Sequence, residues 1–254
     1  MSKPKVYIIN KGWIGNASPN SNLGKNAYGV DTTVGLIEYE KDGRKKYMLV
    51  DPGMAASWKN IKKNLNKICE LQDVTHILVT HWDQDHGQNL KEFSGTLCVS
   101  GAGTARVGTL DFGVIEDLYP NGYIEDENIK YQKVGKAHSR DEMIYIVDSE
   151  NEGKIAFVGD LIWAPISEIP TEKVVIFDKG FSINVIKKYL FLEDLYDKDL
   201  DIEKLYVGHS GAFIDRQEFK KQLQALEGTE YKKLMREFIK EWEERIKEYK
   251  QKNI

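Results

Sequence analysis

Four side chains able to ligate a metal stand close together in Thr80-His81-Trp82-Asp83-Gln84-Asp85-His86-Gly87. Crowding imidazoles and carboxylates onto one loop is costly, because neighbouring carboxylates repel unless a cation lies between them. A bound metal removes that cost. Alternate residues of an extended turn face the same way, so His81 and Asp83 can share one ion while Asp85 and His86 reach a second. Further ligands must come from elsewhere in the chain. His138 follows a strand-like run in Val134-Gly135-Lys136-Ala137-His138-Ser139. Asp160 ends Lys154-Ile155-Ala156-Phe157-Val158-Gly159-Asp160, and His209 lies in Leu205-Tyr206-Val207-Gly208-His209-Ser210-Gly211. Strand-to-loop junctions are where a rigid scaffold presents functional groups.

The rest of the composition narrows the donor types. The chain has 254 residues with five His and two Cys. Cys69 and Cys98 cannot build a disulfide framework or a Cys-rich zinc site, and they read as buried reduced thiols. Any metal must therefore be held by His and carboxylates. The fifth His, His76, precedes Ile77-Leu78-Val79 and reads as a hydrogen-bonded structural residue. A net charge of −4 argues against a nucleic-acid binder held by a broad basic face, although a local basic strip stays open. The apolar run Val6–Ile9 is too short for a signal-peptide core, and no stretch nears the roughly 18–20 apolar residues of a bilayer span. A cytoplasmic setting with no membrane partner is expected.

Short strand-like runs carry these residues. Val6–Ile9 reads as a strand and Lys11–Lys25, rich in Gly, Asn and Ser, as a long loop. Thr33–Tyr39 and Lys46–Val50 flank Asp42-Gly43, a hairpin signal. Trp58, Ile61, Leu65 and Ile68 recur at helical spacing, predicting a helix over Ser57–Leu71 with Ser57 as its cap. Strands are predicted at Val74–Thr80, Thr96–Ser100, Tyr131–Val134, Met143–Val147, Lys154–Val158 and Lys204–Val207, and a helix at Phe181–Leu195. From Asp215 to Ile254 apolar residues recur every three or four positions, as one or two amphipathic helices broken at Gly228-Thr229. That tail reads either as a cap on the sheet or as a homodimer contact. Strands in runs with helices between and after them suggest stacked sheets covered outside by helices.

The order H-x-D-x-D-H, then His, then Gly-Asp, then Gly-His resembles the metallo-β-lactamase superfamily, whose usual motif is H-x-H-x-D-H. Leu49-Val50-Asp51-Pro52-Gly53 is similar to that family's strand ending in Asp-x-Gly. The resemblance runs from Val6 to about Gly211. It implies an α+β fold, a four-layer αββα sandwich with a dinuclear site at one edge between the sheets. Residues 1–254 would form one domain, with 215–254 as a C-terminal helical extension. Carried over, it implies that His81, Asp83 and His138 bind one metal and Asp85, His86 and His209 a second. Asp160 would bridge both, and Asp51 would orient ligands from behind or fix the loop.

Two positions depart from the family pattern. Ala137 stands where Gly is frequent, and Asp83 stands where His is usual. A carboxylate there hardens the site, moving expectation from zinc alone toward zinc, iron or manganese, two divalent ions per chain. A carboxylate at this place is similar to the Glu of the flavodiiron branch, and an Asp there occurs in the nuclease-like DNA-uptake branch. The expected activity is that of a dinuclear hydrolase whose metal-bridging hydroxide attacks an ester, thioester, lactone or phosphodiester, with Asp85 steering the nucleophile or carrying a proton. The alternatives are a diiron oxidoreductase or oxygen sensor, and a small nuclease. A small-molecule substrate is favoured over nucleic acid. Trp82, Trp163 and the Trp13–Asn22 loop could line a substrate edge, and Lys136 and Arg140 flank His138.

Overall fold

The β-rich character of the described residues resolves into two six-stranded sheets and a two-stranded ladder. The computed structural model describes residues 2–16, 28–101, 115–117, 121–135, 139, 142–161, 202–209 and 213–215. In chain order these form β1 (Lys5–Asn10), β2 (Trp13–Asn16), β3 (Tyr28–Asp31), β4 (Val34–Lys41), β5 (Arg44–Val50), α1 (Trp58–Leu65), β6 (Val74–Leu78) and α2 (Gln84–Gly87). There follow β7 (Leu97–Ser100), β8 (Ile115–Asp117), β9 (Asn121–Ile124), β10 (Asp126–Gly135), β11 (Glu142–Ser149), β12 (Gly153–Gly159), β13 (Lys204–Val207) and β14 (Phe213–Asp215).

The first sheet has the order β1-β4-β5-β6-β7-β8 and the second β14-β13-β12-β11-β10-β9. In the first, β5 to β8 run parallel, and in the second only β12 and β13 do. Asp42 and Gly43 take φ of 53° and 68°. Two left-handed residues are what a two-residue turn needs to match strand twist, so β4 returns directly into β5.

Side-chain alternation sorts two apolar layers. Ile37, Met48, Val50 and Leu78 face Met143, Tyr145, Ile155 and Phe157 between the sheets. Their sequence neighbours Leu36, Leu49 and Ile77 point outward, beneath Ile61 and Leu65 of α1. The fold is thus two mixed sheets face to face, with α1 on the outside of the first.

Several expectations need correction. Within the stretch read as a loop from Lys11, Trp13–Asn16 pairs antiparallel with Tyr28–Asp31. Ladder pairing overrides the turn-forming composition there. The helix expected to reach Leu71 stops at Leu65, with Asn66 as its C-cap, and Leu71–Asp73 is a separate 3₁₀ turn. In its last turn the Asn64 amide donates to the Ile9 carbonyl of β1 at 3.0 Å. Ser57 does not cap with its side chain; its hydroxyl donates to Asp31 Oδ2 at 2.7 Å. Asp215 ends β14 rather than opening a helix. The helical readings at Phe181–Leu195 and 216–254 lie outside the described residues. No described helix is long and apolar enough to cross a membrane.

Candidate metal centre

Three strand ends from the two sheets converge. The chain leaves β6 through Val79 and Thr80 to His81, and α2 then presents Asp85 and His86. Asp160 directly follows β12, and His209 lies just past its parallel neighbour β13. The Met143 N–H donates to the Thr80 carbonyl at 2.7 Å, tying the end of β6 to the start of β11 across the sheet interface.

Each histidine is oriented from behind. His86 Nδ1 donates to Asp51 Oδ2 at 2.9 Å. His209 Nδ1 donates to the Asp31 carbonyl at 2.9 Å. His81 Nδ1 lies 3.2 Å from the Thr80 hydroxyl, which itself donates to Asp51 Oδ2 at 2.7 Å. Asp51 Oδ1 accepts the Thr80 N–H at 2.8 Å. Fixing Nδ1 in this way turns all three Nε2 atoms into one space. There His86 Nε2 lies 3.3 Å from Asp160 Oδ1 and His209 Nε2 3.2 Å from Asp160 Oδ2. His81 Nε2 lies 3.8 Å from Asp160 Oδ2. Asp85 Oδ2 is 3.0 Å from His209 Nε2 and 3.8 Å from His86 Nε2.

His81, His86, Asp160 and His209 are buried, whereas the Asp85 side chain is 21% exposed. Burial opposes ionisation of Asp160, but His86 and His209 outweigh it and hold the carboxyl well below its ordinary range. Asp85 is likewise lowered, against burial, chiefly by its hydrogen bond with His209. For His209 burial favours the neutral ring, yet Asp160 and Asp85 raise it to about 9. Burial opposes the charge on His86 too, and Asp51 and Asp160 still push it well above its ordinary value. Asp160 and Asp85 are therefore held anionic, and His86 and His209 hold protons that a metal would displace.

The donor set suits divalent ions. His81, His86 and Asp160 form one group, and Asp85, His86 and His209 another, with the ligand atoms of each within 4.8 Å of one another. Imidazole and carboxylate without thiolate fit zinc, iron or manganese. Two such groups sharing His86 are consistent with a dinuclear site. Asp160 sits between His81, His86 and His209. Asp83 Oδ2 lies 3.5 Å from His81 Nε2, with its side chain 50% exposed, and it joins neither group. His138 lies outside the described residues, as do Lys136, Arg140 and Trp163. Trp82 is partly buried against the outer core under α1. His76 is buried, with Nδ1 2.9 Å from the Thr75 hydroxyl and Nε2 3.6 Å from Glu125.

Sequence reading missed several residues that build the site. Thr80 and Asp31 hold the imidazoles as described. The Asn89 amide donates to the Pro52 and Met54 carbonyls at 2.9 and 2.7 Å, and the Gly53 N–H donates to the His86 carbonyl at 3.0 Å, so α2 is locked to the turn after Asp51. Gly208 is obligatory for space: a Cβ there would lie 2.3 Å from Asp160 Oδ1 and 2.9 Å from His86 Cε1. The only signal for Thr80 is that it precedes a histidine, while Gly208 was read as part of the Gly-His motif without its steric role. Asn89 and Asp31 carry none.

No curated protein matches the chain in sequence. Among solved structures it resembles a metallo-beta-lactamase-like protein of Thermotoga maritima, with 20% identity and a TM-score of 0.62 over 84% of this chain and 99% of that one. A quorum-quenching N-acyl homoserine lactone lactonase aligns at 15% identity and TM-score 0.58, over 82% of this chain and 93% of that one. A chemotaxis sensor with a peroxy diiron species aligns at 14% identity and TM-score 0.57, over 90% of this chain and 92% of that one. Residues 27–98 match the sequence model of the metallo-beta-lactamase superfamily. That match runs from β3 into β7 and includes the H-x-D-x-D-H loop, and the solved structures share the fold over most of the chain.

Proposed function

We propose that this protein is a metal-dependent hydrolase of a small ester, thioester, lactone or phosphodiester. The observation that carries the reading is the convergence of three Nε2 atoms on Asp160 and Asp85, each ring fixed from its far side. His81 and Asp83, with His138 on the evidence of the sequence motif, would hold one ion. Asp85, His86 and His209 would hold the other, and Asp160 would serve both. Two divalent ions there supply Lewis acidity and make hydroxide available near neutral pH. The residues do the positioning. Asp160, buried and anionic, fixes the centre of the donor set. Asp85 is held anionic with a partly exposed side, so it is placed to accept a hydrogen bond from a nucleophile and orient it on the solvent edge. The fold likeness to a homoserine lactone lactonase supports placing lactones first among the substrates.

Asp83 supports a second reading, a diiron oxidoreductase or oxygen sensor, for which the diiron chemotaxis sensor is a neighbour in fold. Anaerobic purification with elemental analysis separates the two. About two zinc or manganese ions per chain, with turnover on a lactone, thioester and phosphodiester panel, is the hydrolase outcome. Abundant iron with a visible charge-transfer band and oxygen uptake is the redox outcome. Asp160→Ala should lose both ions together, and a folded wild-type protein without metal would refute both readings.

A further inference from the structure

The segment joining β3 to β4 does more than connect strands. Asp31 and Thr32 are fully buried, and Thr33 nearly so. The Asp31 carbonyl accepts from His209 Nδ1 at 2.9 Å. The Thr32 hydroxyl donates to the Asp85 carbonyl at 2.9 Å. The Thr33 N–H donates to the Gly208 carbonyl at 2.8 Å. Three successive residues thus hold the loop after β6 and the loop after β13, which belong to different sheets.

The segment is itself braced on three sides. Asp31 Oδ2 accepts from Ser57 at the start of α1 at 2.7 Å, and Asp31 Oδ1 accepts the Thr32 N–H at 3.1 Å. The Asn10 amide donates to the Thr32 carbonyl at 2.8 Å. The Gly12 N–H donates to the Thr33 hydroxyl at 3.0 Å. A buried carboxylate placed this way, whose ionisation burial opposes, contributes no ligand. It stiffens the backbone that does the holding.

The contacts are one-sided. Both ligands served by the segment, Asp85 and His209, belong to the Asp85–His86–His209 group. His81 is held instead by Thr80 and, through it, by Asp51. We infer that Asp31–Thr33 is a strap that sets the geometry of the Asp85–His86–His209 metal position alone, with Thr32 as its positioning residue. This inference rests on the dinuclear reading above. It makes the two positions separable: loosening the strap weakens one ion and spares the other.

The test titrates metal-stripped protein with Mn(II), following stoichiometry by competition with a chelator and ion–ion coupling by electron paramagnetic resonance. Wild type should take up two ions with a coupled spectrum. Thr32→Val keeps the shape but removes the donor, and should weaken one ion about 10- to 100-fold while the other is unchanged, leaving a mononuclear spectrum at intermediate metal. Thr32→Ser restores the hydroxyl and should restore the coupled spectrum. Ser57→Ala unbraces Asp31 without touching a ligand and should show the same selective weakening in smaller degree, which keeps the test open if Thr32→Val fails to fold. Two ions held with wild-type affinity in the variants, or both ions weakened equally, overturns the strap. A wild type that binds no Mn(II), zinc or iron instead refutes the metal reading on which the strap depends.

Discussion

Asp51 shows how one carboxylate acts through its neighbours. It accepts from His86, the Thr80 hydroxyl and the Thr80 N–H, and so sets two imidazoles at once. Its own φ of 49° is left-handed, a conformation uncommon outside glycine that Asp tolerates better than most residues. The cysteines show the opposite environment. Burial pushes the thiols of Cys69 and Cys98 up to about 12, because a thiolate in the outer core would be desolvated. Neither thiol should react with a disulfide reagent in the native protein at pH 7 to 9, and both should react on denaturation; prompt native labelling would contradict this burial. Asp51 and both cysteines were readable from the sequence, the first by the Asp-x-Gly context of the family resemblance and the others by their count. Thr80 and Asp31 were not, because a hydroxyl or carboxylate acquires its role from whichever distant loop folds against it.

At the scale of elements, the site depends on β12 and β13 lying side by side. The Gly208 N–H donates to the Gly159 carbonyl at 2.8 Å, closing the two strand ends together. Gly208→Ala drives a methyl group into the Asp160 carboxylate. Overpacking of this kind costs about 1–3 kcal/mol, and the displaced Asp160 should lower metal affinity at both positions, seen as reduced occupancy by elemental analysis with far-UV circular dichroism retained. Wild-type occupancy would show that the loop yields more readily than its contacts indicate. Strands with strong alternation or a short hairpin turn, β4 to β6 and β11 to β13, were legible in the sequence. The β2–β3 ladder was not, since Trp13–Asn16 finds its partner beyond a stretch of turn-forming residues. The end of α1 depends on a tertiary bond from Asn64 to β1 that local spacing does not encode.

At the scale of the molecule, the two sheets are joined by polar as well as apolar contacts. The fully buried Tyr145 hydroxyl of the second sheet lies 2.9 Å from the Val79 carbonyl and 3.1 Å from the Val99 carbonyl of the first. Tyr145→Phe leaves those carbonyls without that donor and should cost about 1–3 kcal/mol in denaturant unfolding; an unchanged midpoint would show that they find another. The sandwich was legible because alternation requires two buried faces, whereas this tyrosine bond was hidden in an ordinary aromatic core position. The parallel pairing of β12 with β13 has a kinetic meaning. Hairpins such as β4–β5 and β11–β12 close over a few residues, but Gly159 and Val207 must meet across a long intervening stretch. Loop-closure entropy makes such contacts slow relative to local ones. Asp160 and His209 are therefore expected to come together late in folding, after the H-x-D-x-D-H loop has its own strand behind it, and a nascent chain carries the donors of that loop before it has the partners that complete them.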